Sequence, residues 1–212
     1  MWRVAGGEAA AVVMVMGLLA WEYSAPPLRL CGTGFGELDT ALVVTGLVPL
    51  LGFVLQAPGL QGTVGTAGAM AAAGLPGTGG LGVLGLAIVA PALLQVAMLI
   101  AIEFPDAVGD AKTGKRTLVV RLGAARAAWV YVAITGLAYG WLPVAVGLGL
   151  PGRVAWCAAL PAPIAAWRMW RVGEHRDPKA YERLTFFAVF LLVATSLAEV
   201  GALVSLRLAA GR

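Results

Sequence analysis

Six apolar runs, at residues 4–23, 38–57, 81–102, 124–147, 154–170 and 183–208, limit what this chain can fold into. About 20 such residues, wound as a helix, cross the roughly 30 Å hydrocarbon core of a bilayer. The chain is 60% hydrophobic and 12% charged, with a mean hydropathy of +0.87. A soluble domain has about 45–50% apolar and about 25% charged residues. The expected fold is all-α: one polytopic bundle of about six transmembrane helices filling residues 1–212, with the lipid bilayer as its solvent. The net charge of +4 then reads as loops facing anionic lipid, not as a nucleic-acid surface. Cys31 and Cys157 lie far apart outside any motif, and His175 is the single histidine. A disulfide framework, a zinc site and a multi-histidine metal site are therefore excluded. No small-residue cleavage site and soluble domain follow the first run, so it does not read as a cleavable signal peptide.

Punctuation between the runs is specific. Pro26 and Pro27 stop the first helix. Gly32, Gly34 and Gly36 lack a preceding strand and the full nucleotide-binding fingerprint, so they read as a flexible connector. Pro49 is expected to kink the second span, and Pro161 and Pro163 lie inside the fifth. Residues 58–80, without any charge, read as a loop at or in the interface, and 171–183 as a polar loop. Counting Lys and Arg orients the bundle. With six spans, Arg29, Lys112, Lys115, Arg116, Arg121, Arg126, Arg168, Arg171, Arg176, Lys179 and Arg183 fall on one side. Arg3, Arg153, Arg207 and Arg212 fall on the other. The richer side is assigned to the cytoplasm, with both termini outside.

Charge concentrates in one place, from Glu103 to Thr117 (EFPDAVGDAKTGKRT). Asp106 and Asp110 are four apart, which puts them on one face of a helix with Cβ atoms about 5–6 Å apart. Paired carboxylates suit Mg²⁺, which takes carboxylate oxygens and completes its shell with water and phosphate. Lys112, Lys115 and Arg116 follow at once, as a metal-bridged polyphosphate would require. The alternative is a charged loop whose cations only set topology. Glu103 reads either as a further metal oxygen or as a helix-end charge. Glu199, inside the last run, reads as a neutral or paired structural group, and His175 as a solvated loop residue. Tryptophans at span ends read as interfacial anchors, while Gln56 and Gln95 are candidates for interhelical hydrogen bonds or, for Gln95, for facing a cavity.

The stretch EFPDAVGDAKTGKRTLVVRLG resembles the second aspartate-rich motif of the UbiA superfamily of intramembrane prenyltransferases, and YSAPPLRL resembles the segment after that family's fourth helix. The flanking FPD and KRTLVVRLG look closest to the 1,4-dihydroxy-2-naphthoate prenyltransferases of menaquinone synthesis. This resemblance implies Mg²⁺-dependent transfer of a polyprenyl group from a polyprenyl diphosphate to an aromatic acceptor, in quinone biosynthesis in a bacterial plasma membrane, with the active face cytoplasmic. It implies Asp106 and Asp110 as metal ligands and catalytic residues, and Lys112, Lys115, Arg116, Tyr23 and Arg29 as diphosphate contacts. It also implies that the six runs are the last six of nine helices. The family's first motif, N-D-x-x-D-x-x-x-D, has no counterpart: the chain has no Asn and no acidic residue between Glu8 and Glu22. The expectation is an N-terminally truncated record, or a half-site member that works with a partner chain or is inactive alone. A small unrelated transporter is the remaining alternative.

Overall fold

The computed structural model describes residues 6–56, 80–171, 173 and 177–210, and among these there is no β-strand. In chain order the helices are α1 (Gly6–Ser24), α2 (Gly36–Gln56), α3 (Gly80–Lys112), α4 (Leu118–Leu122), α5 (Ala124–Gly147), α6 (Gly152–Ala158), α7 (Ala162–Trp170) and α8 (Tyr181–Ala210). The polytopic helical bundle expected from the sequence is present. Among the described residues, four helices are long and apolar enough to cross a membrane: α2, α3, α5, and α8 with the short turn that leads into it.

The other two apolar runs differ from a single spanning helix. The first forms α1, with 19 residues that include Glu8 and Glu22 near its ends, and it is not among the four. The fifth is broken. Proline has no N–H and biases the residue before it out of the helical region. Accordingly α6 stops at Ala158, and α7 restarts with Pro161 at its cap and Pro163 in its first turn, where the missing donor does no harm. Pro49 acts in a related way. Its ring denies the Thr45 carbonyl a donor, and the helix widens just ahead of it into a π-helical turn over Leu42–Leu47. The Thr45 hydroxyl there donates to Ala41 O at 2.6 Å.

At the centre stands α3. Half of its apolar stretch (50%) is buried within the protein, against 11% for α2. Small residues make that possible: Ala87, Ala90, Ala97 and Ala101 are buried, letting α5 and α8 approach closely. Leu94, Ile100 and Phe104 fill the space between, and Phe104 meets Tyr181 at the start of α8 with ring centroids 5.7 Å apart. Two prolines lie inside α3. Pro105 leaves the Ala101 carbonyl without its i+4 donor, and the Thr185 hydroxyl of α8 fills the gap at 3.1 Å. Trp141 of α5 donates its indole N–H to Leu86 O at 2.9 Å, so this tryptophan is a helix–helix tie and not a free anchor. Trp21, Trp129, Trp156, Trp167 and Trp170 are exposed, as anchors would be.

Gln56 donates to Gly52 O of its own helix at 3.1 Å, and among the described residues no hydrogen bond joins it to another helix. Gln95 is buried within α3. Residues 57–79 and His175 lie outside the described residues.

Replacing Thr185 with Val keeps the shape and removes the donor. Unfolding of detergent-solubilised protein in rising SDS should then show a loss of about 1 kcal/mol, the ordinary net worth of one hydrogen bond. An unchanged midpoint would mean that Ala101 O has no need of Thr185.

Candidate functional site

The apolar run of α3 ends at Ile102, yet the helix continues to Lys112. At 1.5 Å per residue its 33 residues span about 50 Å, more than a hydrocarbon core, so the final turns project beyond it. Asp106 and Asp110 therefore sit one turn apart on a helix face, as their spacing implies. Asp106 is exposed, and the side chain of Asp110 is only 15% exposed.

Local sequence then folds a base back onto this pair. Gly114 takes φ +80°, a left-handed conformation that favours glycine. Lys115 N–H donates to Asp110 O at 3.0 Å and Gly114 N–H to Ala111 O at 3.3 Å. This is the Schellman pattern that caps a helix C-terminus. It reverses the chain and places Lys115 Nζ 3.2 Å from Asp110 Oδ1. The hydrogen bond and attraction of Asp110, with smaller contributions from Cys31 and Asp106, push the lysine above its ordinary value of 10.5. A raised pKa stabilises the fold below the ordinary value, and that gain is lost as pH rises through the folded one.

The two segments singled out in the sequence dock on each other. Arg116 N–H donates to Gly32 O at 2.9 Å, and the Arg121 guanidinium donates to Thr33 O. The glycines here are not a flexible connector. Gly34 has φ +77°, and a Cβ on it would lie 3.1 Å from Arg121 Cδ and 3.3 Å from Arg116 O. A Cβ on Gly36 would lie 3.0 Å from Cys31 Cα and from Leu30 O, both backbone atoms. The turn is packed, and glycine is what lets it pack.

Beyond this turn, the first N–H groups of α4 have no partner within the helix. Leu118 N–H donates to Glu37 Oε1 at 3.0 Å, and Val119 N–H to Glu103 Oε2 at 3.2 Å. Glu103 is thus neither a free helix-end charge nor turned to a metal. It caps α4. Glu37 and Asp39, both buried at the start of α2, were not singled out from sequence. Two acids opening an apolar helix, in a chain with 11 acids, were the available signal.

Of the residues expected to form the site, Asp106, Asp110 and Lys115 are brought together. Lys112 and Arg116 are exposed close by in the chain. Tyr23 and Arg29 are exposed on the end of α1 and the following loop, and no hydrogen bond or ion pair joins them to the aspartates. Helix α1 lies chiefly on α2, and the loop that carries Arg29 docks through Gly32 O and Thr33 O on Arg116 and Arg121. Glu199 is buried on α8, one turn from Thr195, whose hydroxyl lies 3.1 Å from Tyr139 OH.

Among the described residues, no three His, Cys, Asp or Glu side chains gather to form a metal cage. An accessible carboxylate pair fits Mg²⁺ nonetheless, because that ion keeps several waters and uses one or two carboxylates plus substrate phosphate. Asp106 and Asp110 are the residues that would hold it.

Fold and site define a polytopic helical membrane protein with carboxylates and bases at the exposed end of its central helix. The model of the UbiA prenyltransferase family matches residues 4–193, and the chain belongs to that family. Its members transfer polyprenyl groups to aromatic acceptors. No curated protein and no solved structure matches the chain.

Because Asp110 keeps Lys115 protonated, amine-selective reductive methylation at pH 8–9 should modify Lys115 faster in Asp110→Asn than in the unmodified chain. Equal rates would mean that the ion pair does not form in the membrane protein.

Proposed function

We propose that this chain is a Mg²⁺-dependent prenyltransferase of quinone biosynthesis, moving a polyprenyl group from polyprenyl diphosphate to an aromatic ring at the cytoplasmic face. The observation that carries this reading is the site at the end of α3: Asp106 and Asp110 one turn apart, with Lys115 folded onto Asp110 by the Gly114 turn. In a protein of this family, that combination suits a metal-bridged diphosphate. Lys112, Lys115, Arg116, Arg121 and Arg126, gathered at this end of α3 and the start of α5, support the cytoplasmic side. The flanking FPD and KRTLVVRLG favour 1,4-dihydroxy-2-naphthoate as the acceptor.

Prenyl transfer breaks the allylic C–O bond, and the electron pair leaves with the diphosphate. An electron-rich ring carbon forms the new C–C bond, and the ring then loses a proton or, in the naphthoate branch, carbon dioxide. Asp106 and Asp110 would hold the Mg²⁺, which when bound neutralises charge on the leaving diphosphate. Lys115, Lys112 and Arg116 add fixed positive charge where negative charge develops, the kind of stabilisation that accelerates such steps most. With no donor bound, Lys115 balances Asp110. A diphosphate oxygen competes for the same ammonium and leaves the carboxylate free. Tyr23, on the end of α1, and Arg29, in the loop that docks on Arg116 and Arg121, would be further diphosphate contacts.

A second reading has its own observation. Only two carboxylates face the site, with no third ligand gathered among the described residues, which favours a half-site completed by a partner chain. Membership in the family removes the unrelated transporter.

Chain reconstituted in nanodiscs with a polyprenyl diphosphate, 1,4-dihydroxy-2-naphthoate and Mg²⁺ should form the prenylated product, and EDTA should abolish it. Asp106→Ala and Asp110→Ala should each lower kcat by about 10²–10³, the range for removing one stabilising group from a charge-developing site. Full activity in either variant would sink the proposal. Activity that appears only on adding a partner chain would select the half-site reading.

A further inference from the structure

The five residues 113–117 carry two of the three bases assigned to the diphosphate, and nothing in so short a segment fixes its own shape. Four ties do. At one end the turn over Gly114 closes on Asp110 O and Ala111 O. In the middle Arg116 N–H is held by Gly32 O. At the far end the adjacent N–H groups of Leu118 and Val119 are taken by Glu37, 81 residues away in the chain, and Glu103, 16 residues away.

This last pair is unusual. Glu37 is 5% exposed. A buried carboxyl is costly unless it is hydrogen-bonded, and these two use their oxygens on backbone donors while lying against each other. Glu37 Oε2 is buried and finds no N–H or O–H donor among the described residues. Helix α4 has five residues, too few to be stable alone, so its place depends on what holds its first turn. The holders come from α2 and α3.

We infer that Glu37 and Glu103 are positioning residues: together they clasp the N-terminus of α4 to α2 and α3, and so fix Lys115 and Arg116 at the diphosphate subsite beside Asp106 and Asp110. The inference rests on the function proposed above for that subsite. Neither glutamate touches the diphosphate. Each acts through the backbone of residues 113–119, and the substitution that keeps the hydrogen bonds keeps the subsite. In Glu37→Gln the amide oxygen still accepts from Leu118 N–H. Glu37→Ala loses that bond.

The test uses full-length protein in nanodiscs, with helical content checked by circular dichroism, and two readouts. Amide hydrogen exchange over residues 113–123 reports the clasp without reference to function. Equilibrium binding of farnesyl diphosphate with Mg²⁺ reports the subsite. Glu37→Ala should speed exchange in that segment and weaken binding about tenfold, and Glu37→Gln should restore both to within about twofold. Glu103→Ala and Glu103→Gln provide a second pair should Glu37→Ala fail to fold. Unchanged exchange in the alanine variants would show that there is no clasp. Faster exchange with unchanged binding would overturn the positioning role. If the unmodified chain binds no farnesyl diphosphate, the proposed function fails and the role of the clasp falls with it, while the exchange arm still tells whether the clasp itself exists.

Discussion

Burial of α3 is the constraint on which the rest of the structure depends. A helix with half its apolar stretch inside the protein must have every backbone group and every side chain on that stretch accounted for. Small residues admit α5 and α8, and Pro105, which would weaken a soluble helix, is tolerated because a neighbour supplies the donor it removes. Thr185 does this for Ala101 O. Because the same helix runs on past its apolar section, whatever fixes α3 in the bundle also fixes Asp106 and Asp110. The site is precise because the core is.

At the charged end, satisfaction of backbone donors does more to shape the structure than pairing of opposite charges. One ion pair, Lys115 with Asp110, sits at the surface with the lysine 54% exposed. Such pairs contribute little to stability. The loop at residues 29–36 meets this end through one backbone hydrogen bond, from Arg116, and one from the Arg121 guanidinium, and Gly34 admits them by having no side chain. A division of labour follows. Glu37 and Glu103 are used to hold the chain, which leaves Asp106 and Asp110 with oxygens to offer a ligand.

Much of this was legible in the sequence, and the physical reasons differ by element. The run at residues 124–147 coincides with α5, because a long apolar stretch bounded by Gly123 and the turn before Pro151 leaves little choice of ends. The four-residue spacing of the aspartates needed only that the backbone be helical. Prolines told where the chain is disturbed but not how: Pro49 produced a wide turn, and Pro161 with Pro163 a break. Contacts between distant segments were not legible. Glu37 reaches Leu118 across 81 residues, and no local pattern encodes that. Gly34 and Gly36 looked like a flexible connector for the same reason, since their constraint comes from Arg116, Arg121 and the preceding turn. Tyr23 and Arg29 entered through family resemblance, and no hydrogen bond or ion pair ties them to the aspartates here.

The central claim is that the exposed end of α3 holds a metal-bridged diphosphate. Mn²⁺ in place of Mg²⁺ makes this directly visible by electron paramagnetic resonance. In the presence of farnesyl diphosphate, the protein should take up Mn²⁺ with a bound-state spectrum that shows coupling to ³¹P, and the Asp106→Asn, Asp110→Asn double variant should lose it. Retention of the same phosphorus-coupled Mn²⁺ signal in the double variant would contradict the account, because the ion would then be held somewhere other than on α3.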